Sequence, residues 1–273
     1  MRALLVLNQR SRRGAREGAA VCKRLAESGI ECDVARGARD VEAVIAAGGD
    51  GTVIYSVPLA LERGVPLGVV PLGTFNDLAR TLGIGTDTGK ACEAIAHGST
   101  RTIDVGRVNG VHFVNEASIG VSTRIARKQT PAAKQRFGLL AVAAAAVHTI
   151  RETRPFGVTL RFDGNCEQFR SVQLTIANSG RFGGVIDRPD AAIDDGWLDL
   201  YSVEVTNWAQ ALPLVYKILS RDATSAKGLR TRRAQQFLVQ TAHAHHISAD
   251  GEPAGMTPAL FQVLPGALRV FVP

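Results

Sequence analysis

Aromatic residues are scarce in this chain, 5% of 273, and none of them interleave with its basic stretches. Nucleic-acid modules stack bases on such rings, so no nucleic-acid partner is expected. The four cysteines (Cys22, Cys32, Cys92 and Cys166) include no CxxC pair. Structural-zinc spacing is thereby excluded, and nothing suggests a disulfide framework, which points to a reduced cytoplasmic protein. Long apolar runs are missing as well. The segment from Phe137 to Ile150 falls short of a membrane span, and the apolar run behind the N-terminal Met-Arg is too short for a secretory signal. The lysine of a Walker loop is absent, and so is the GxGxxG dinucleotide fingerprint. There is no internal repeat and no low-complexity tract.

What the chain does have is core material and positive charge. Hydrophobic residues make up 45%, and 32 Lys and Arg against 25 Asp and Glu leave a net charge of +7. Such an excess suits nucleotide phosphates, anionic lipid surfaces or nucleic acid. The length fits two domains or one large one.

The first hundred residues alternate between strand and helix. "RALLVL" (2–7), "VEAVIAA" (41–47) and "VPLGVVP" (65–71) read as buried strands, with helices expected around 15–28 and 53–63. This is the pattern of a parallel α/β sheet, in which ligands bind beyond the carboxyl ends of the strands. Three loops fall there: "NQRSRRG", "GGDGT" and "GTFND". "IECDVA" (30–35) looks like a further strand, but too few residues follow it for a parallel crossover. Either it is an irregular or edge segment, or the chain has lost a helix. From about residue 106 the texture becomes one of short alternating strands separated by Asp-Gly, Asn-Gly and Pro-Gly, interrupted by helical pieces near 137–151 and 207–220. The expected division is 1–105, an α/β nucleotide-binding domain, and 106–273, a β-sandwich lipid-binding domain.

"VIAAGGDGTVIYS" (44–56) poses the chemical question. Gly48, Gly49, Gly51 and Thr52 could offer backbone N–H groups to a phosphate at a helix N-terminus. Asp50 within that turn suits a site that also faces a cation or a hydroxyl proton, unless it is only a helix cap. Followed some twenty residues later by "PLGTFNDLAR", this stretch resembles the diacylglycerol kinase catalytic-domain family. That family includes bacterial lipid kinases and sphingosine kinases and is distantly related to NAD kinases. The resemblance extends through "LNQRSRRG", "IDVGRVNGVHFVNEASIGVS", "NSGRFGGV", "DDGWLDLYSV", "ISADGEP" and "LPGALRVFVP".

The resemblance implies an NAD kinase-like α/β domain that holds ATP, a C-terminal β-sandwich, and an active site in the cleft between them. Phosphoryl transfer from Mg²⁺-bound ATP to a hydroxyl of diacylglycerol or a related lipid is the implied reaction. Carried over by motif, Gly48, Gly49, Gly51 and Thr52 contact the nucleotide phosphates, with Asn8 and Ser11 nearby. Thr74, Asn76 and Asp77 form the opposite wall, with Asp77 at the catalytic Mg²⁺. Asp50 or Glu252 takes the substrate proton. A second, structural Mg²⁺ is implied at Asp195 with the carbonyls of Ala192 and Trp197. The implied location is cytoplasmic, peripheral at the inner face of the membrane and in transient contact with it; oligomerisation is left open. The rivals are an NAD kinase-like enzyme and a catalytically weak nucleotide- or lipid-binding descendant of a kinase.

Two departures stand out. Val53-Ile54-Tyr55 follows "GGDGT" where the family has a hydrophobic residue and Asn-Glu, and Gln9 replaces a proline in the first loop. His243 and His245 of "HAHH" share a strand face, but no spacing supplies a third metal ligand. Basic residues cluster at Arg10, Arg12, Arg13 and Arg16, and again at Arg221, Lys227, Arg230, Arg232 and Arg233. Attraction to anionic headgroups is the preferred reading of the second cluster over a solvated surface.

Overall fold

Continuous apolar runs without alternation form strands only where both faces are covered. Strands β1 (Arg2–Leu7), β3 (Ala43–Gly48) and β4 (Leu67–Pro71) meet that condition, and every residue of β3 and β4 is buried. The computed structural model describes residues 1–9, 12–33, 40–120, 154–179, 181–182, 186–187, 191–205 and 228–273. The expected helices near 137–151 and 207–220, together with Ser11, Arg10, Arg221 and Lys227, lie outside the described residues. The chain divides into two units. The first comprises Met1–Val105, Ile193–Gly196 and Leu264–Pro273, and the second Gly106–Ala192 and Trp197–Val263. The return of two later segments to the first unit has no counterpart in the continuous division read from the sequence.

In the first unit, β2 (Glu31–Asp33) lies at the edge in the order β2-β1-β3-β4, all parallel. Residues 31–33 of "IECDVA" are therefore an edge strand, and residues 34–39, where a crossover would begin, lie outside the described residues. Helix α1 (Arg12–Glu27) buries Gly14, Gly18, Val21 and Leu25, a stripe at helical spacing. Gly18 brings it close to the sheet, since a Cβ there would stand 3.0 Å from Leu7. Helix α2 runs Asp50–Arg63 and so begins inside the glycine motif, three residues earlier than the apolar pattern suggested. Helix α3 (Asp77–Thr81) follows β4. Helix α4 (Thr88–His97) was not expected, although Asp87 caps it by accepting the N–H groups of Gly89 and Lys90 at 2.7 and 3.2 Å.

Strand β5 (Thr100–Val108) is followed by β6 (Val111–Phe113) and β7 (Glu116–Gly120). Then come β8 (Phe156–Phe162), β9 (Asn165–Ser171), β10 (Gln173–Ala177), the short pair β11 (Arg181–Phe182) and β12 (Ile186–Asp187), and β13 (Leu198–Val203). The last five are β14 (Leu229–Ala234), β15 (Gln236–Thr241), β16 (His246–Ala249), β17 (Glu252–Met256) and β18 (Ala259–Phe271). The second unit is an antiparallel sandwich. One sheet contains the start of β18, β15, β8 and β9; the other has the order β14-β13-β10-β7-β16-β17. Phe113, Phe237, Phe261, Leu174, Leu200 and Ile247 belong to its core.

Asn109-Gly110, Asp163-Gly164 and Asp250-Gly251 each make a two-residue hairpin turn, and all six residues have positive φ between 45° and 91°. Pro265-Gly266 is different. It lies within β18 rather than between strands, and Gly266 at φ 59° gives its N–H to Asp104 at 2.8 Å.

Ionic contacts join the edge strands β9 and β14. Glu167 on β9 accepts from Arg230 and Arg232 on β14, each at 2.7 Å. Arg230 also pairs with Glu204 and stands 4.6 Å over the Phe169 ring. Arg233 lies 3.6 Å from Asp199. The described part of the second basic cluster is thus engaged within the protein. This corrects the headgroup reading for Arg230, Arg232 and Arg233. Hydrogen bonding from Arg232, reinforced by the charge of Arg230, holds the Glu167 carboxyl below its ordinary range. A depressed folded value gives stability that is present above the usual glutamate pKa of about 4.3 and is lost as pH falls through the folded value. Glu167→Gln is expected to cost about 1 kcal/mol at pH 7, given the partial exposure of the cluster. In urea unfolding, the gap between parent and variant should close as pH falls below 4 and narrow with added salt. A gap independent of both would remove the ionic account.

Candidate functional site

Two glycine-rich turns meet at the carboxyl ends of β3 and β4, and their approach depends on having no side chains. A Cβ on Gly73 would lie 2.4 Å from the Gly49 Cα, and one on Gly49 would lie 3.0 Å from the Gly73 Cα. Gly48 is constrained differently. It pairs with Pro71 across the ladder, and its missing Cβ leaves room for Thr52, whose Oγ1 would otherwise be 2.1 Å away.

Asp50 joins the two turns. One carboxylate oxygen accepts the N–H of Asn76 at 3.1 Å and the other that of Asp77 at 2.7 Å. Helix α3 has no side-chain cap of its own, because Asn76 at its N-cap is turned into the left-handed region at φ 51°. Asp50 therefore caps α3 from another loop. The side chain of Asn76 is occupied locally: its Oδ1 accepts from the Gly73 N–H and its Nδ2 donates to the Gly73 carbonyl, both at 2.9 Å.

The start of α2 remains open. Its N-cap is Gly49, with no side chain to cap it. Thr52 turns its N–H to the Gly49 carbonyl at 2.9 Å. The N–H groups of Asp50 and Gly51 have no acceptor among the described residues, and Gly51 is exposed. Unsatisfied N–H groups at the positive end of a fourteen-residue helix make an anion site. Asn8 lies alongside, its N–H bonded to the Ala47 carbonyl at 3.1 Å. Thr74 and Asp77 are exposed in the neighbouring turn. The first unit thus brings together Asn8, Gly48, Gly49, Asp50, Gly51, Thr52, Thr74, Asn76 and Asp77. Tyr55 lies on α2 beside a cavity of about 310 Å³ shared with Leu7, Gln9 and Leu59.

Two further aspartates with no assigned role in the sequence prove to organise their surroundings. Asp104, 3% exposed, accepts the N–H groups of Gly196 at 2.6 Å and Gly266 at 2.8 Å, while its own N–H goes to the Ile193 carbonyl. The turn that carries Asp195 is thereby fixed on both sides of that residue. In the second unit, the enclosed carboxylate of Asp250 accepts the N–H groups of Val114, Asn115 and Glu116 at 2.7, 3.1 and 2.8 Å. Burial pushes its carboxyl up to about 7, against the downward pull of those donors. Glu252 follows immediately after this turn. It is exposed, and its carboxylate has no partner among the described residues. A charged residue inside an apolar strand ("TIDVGRV") and an Asp opening an Asp-Gly turn were the available signals for these two.

Asp50→Asn should cost about 1–3 kcal/mol, because an amide nitrogen would replace one acceptor of a backbone N–H. The readout is local: the amides of Asn76 and Asp77 should lose protection in hydrogen exchange while β13 and β15 keep theirs. Unchanged protection at residues 76 and 77 would refute the capping role.

The chain also resembles known proteins. Residues 2–108 match the model of the diacylglycerol kinase catalytic domain, and residues 115–272 match the YegS C-terminal NAD kinase beta sandwich-like domain. The chain is 30% identical over 239 residues to a diacylglycerol kinase of Bacillus subtilis (strain 168), covering 86% of this chain and 79% of that protein. It is 29% identical over 236 residues to a diacylglycerol kinase of Staphylococcus aureus (strain bovine RF122 / ET3-1), covering 85% and 75%. A crystal structure from Bacillus anthracis str. Sterne, provisionally titled a diacylglycerol kinase, superposes with a TM-score of 0.81 at 22% identity. It covers 100% of this chain and 95% of that one.

Proposed function

The chain belongs to the diacylglycerol kinase catalytic-domain family of lipid kinases, and we propose that it transfers the γ-phosphoryl group of ATP to a hydroxyl of diacylglycerol or a closely related lipid. The observation that carries this reading is the open N-terminus of α2, with the N–H groups of Asp50 and Gly51 available to an anion. Phosphoryl transfer asks a protein for positioning and charge stabilisation more than for covalent chemistry, and rigid glycine turns supply positioning.

The two carboxylates proposed as base differ in their engagement. Both oxygens of Asp50 accept backbone N–H groups, whereas Glu252 is exposed and unpartnered among the described residues. We therefore assign proton removal from the lipid hydroxyl to Glu252 and loop positioning to Asp50. Asp50 also leaves Asp77 at the start of α3, where its carboxylate would hold Mg²⁺ beside the phosphates. Among the described residues no three His, Cys, Asp or Glu side chains group together. Magnesium takes one or two carboxylates and completes its shell with carbonyls, waters and phosphate oxygens. When bound, the ion supplies charge neutralisation along the phosphates. Asp195, with the carbonyls of Ala192 and Trp197, would hold a second, structural ion within one turn. No described helix is long and apolar enough to cross a membrane. A lipid acceptor nevertheless requires contact with a lipid surface, so we assign a peripheral, transient association.

The test is radiolabelled ATP and Mg²⁺ with diacylglycerol in mixed micelles, with NAD as a control acceptor. Labelled lipid is expected, and Glu252→Gln should reduce its formation by about 10²–10⁴-fold with unchanged ATP affinity and melting temperature. Turnover of Glu252→Gln at the parent rate would transfer the base to another group. Labelling of NAD alone would favour the NAD kinase reading, and ATP binding without any product would favour a binding protein.

A further inference from the structure

A second site of different character lies wholly in the second unit. The start of β8, the end of β9 and the turn after β15 border a cavity of about 570 Å³. Four basic or imidazole side chains line it: Arg154, Arg170, His243 and His245. No carboxylate does so among the described residues. We propose that this cavity binds a phosphate-bearing ligand, either a small soluble phosphate ester or the headgroup of an anionic phospholipid. The proposal uses none of the residues assigned to phosphoryl transfer and does not depend on that assignment.

The surroundings hold these side chains in place. Arg170 donates from Nη2 to the Pro155 carbonyl at 3.0 Å, which directs its guanidinium along the cavity wall. The His245 ring packs on Phe156, with centroids 4.4 Å apart. The turn that carries both imidazoles is tied down as well. Thr241 Oγ1 donates to the His243 carbonyl at 2.7 Å, the His245 N–H donates to Thr257 Oγ1 at 2.9 Å, and the two threonine hydroxyls bond each other. Preorganised donors lose less freedom when an anion arrives.

Gly157 lines the cavity and adds no side chain to it. It pairs with Arg170 across β8 and β9, it is exposed, and a Cβ built on it would meet nothing within 4 Å. A glycine in a strand weakens it and often marks a place where a ligand approaches the backbone closely. Guanidinium forks match phosphate oxygens in geometry, and Pro155 and Phe156 offer apolar contact for the rest of a small ester. The volume lies in the range of small-ligand sites.

The full chain would be titrated calorimetrically with glycerol 3-phosphate and, separately, co-sedimented with phosphatidylcholine vesicles containing phosphatidylglycerol. Binding in the first arm identifies a soluble phosphate ester; binding in the second alone identifies a headgroup. In whichever arm the parent binds, the Arg154→Gln/Arg170→Gln double variant and Gly157→Val should each weaken binding at least about tenfold, the loss of one charge-assisted hydrogen bond or more. Gly157→Val guards against misfolding, since its new side chain enters open space and its melting temperature should match the parent's. Absence of binding in both arms overturns the proposal. So does a folded Gly157→Val protein that binds like the parent, because the arginines would then act as general surface charge.

Discussion

A carboxylate that collects backbone N–H groups from a segment remote in sequence is the interaction on which this structure rests. It occurs three times among the described residues. Asp50 reaches Asn76 and Asp77, Asp104 reaches Gly196 and Gly266, and Asp250 reaches Val114, Asn115 and Glu116. A turn has no ladder partner for its amides, and a buried amide without an acceptor costs about 1–3 kcal/mol. An ionised carboxylate has several acceptor positions, so one side chain can satisfy two or three donors at once. The aspartates of "GGDGT", "IDVG" and "DGE" therefore determine the shape of the loops before any chemistry is considered.

This accounts for an acidic residue within a glycine turn whose open N–H groups suit an anion. A free carboxylate at the N-terminus of α2 would repel the anion that the helix attracts. Asp50 instead spends its charge on the amides of α3, and its own N–H and that of Gly51 stay available. The same contact fixes Asp77 at the first position of α3, where a cation-binding carboxylate is useful. Glycine is needed at 49 and 73 because the two turns approach at backbone distance. One side chain thus separates the open N–H groups of α2 from the carboxylate at the start of α3.

Much of this was legible in the sequence, and the exceptions have physical causes. The apolar runs at 2–7, 41–47 and 65–71 pointed to the parallel sheet, because strands covered on both faces leave no alternative pattern, and the strands begin up to two residues later than read. Two-residue Asn-Gly and Asp-Gly turns gave the hairpins. The start of α2 was hidden because glycines and an aspartate have poor helix propensity, and tertiary contacts outweigh it there. Helix α4 announced itself only through Asp87 and Gly98, its two caps, with a weak apolar stripe between them. The return of Ile193–Gly196 to the first unit left no local trace, since it depends on Asp104, which lies some ninety residues earlier.

The basic cluster shows why charge density along a sequence is not charge density on a surface. Arg230, Arg232 and Arg233 lie on one strand, where side chains alternate between faces. Arg230 and Arg232 share a face and meet Glu167 from the edge of the opposite sheet, while Arg233 faces the other way and meets Asp199. Three neighbouring positive charges are thus consumed by carboxylates that lie between 26 and 65 residues away. Arg154 and Arg170 have the reverse history. They are sixteen residues apart and form no run, yet the β8–β9 hairpin brings both to one cavity. Strand register, rather than local composition, decides where this protein's excess positive charge can meet an anion.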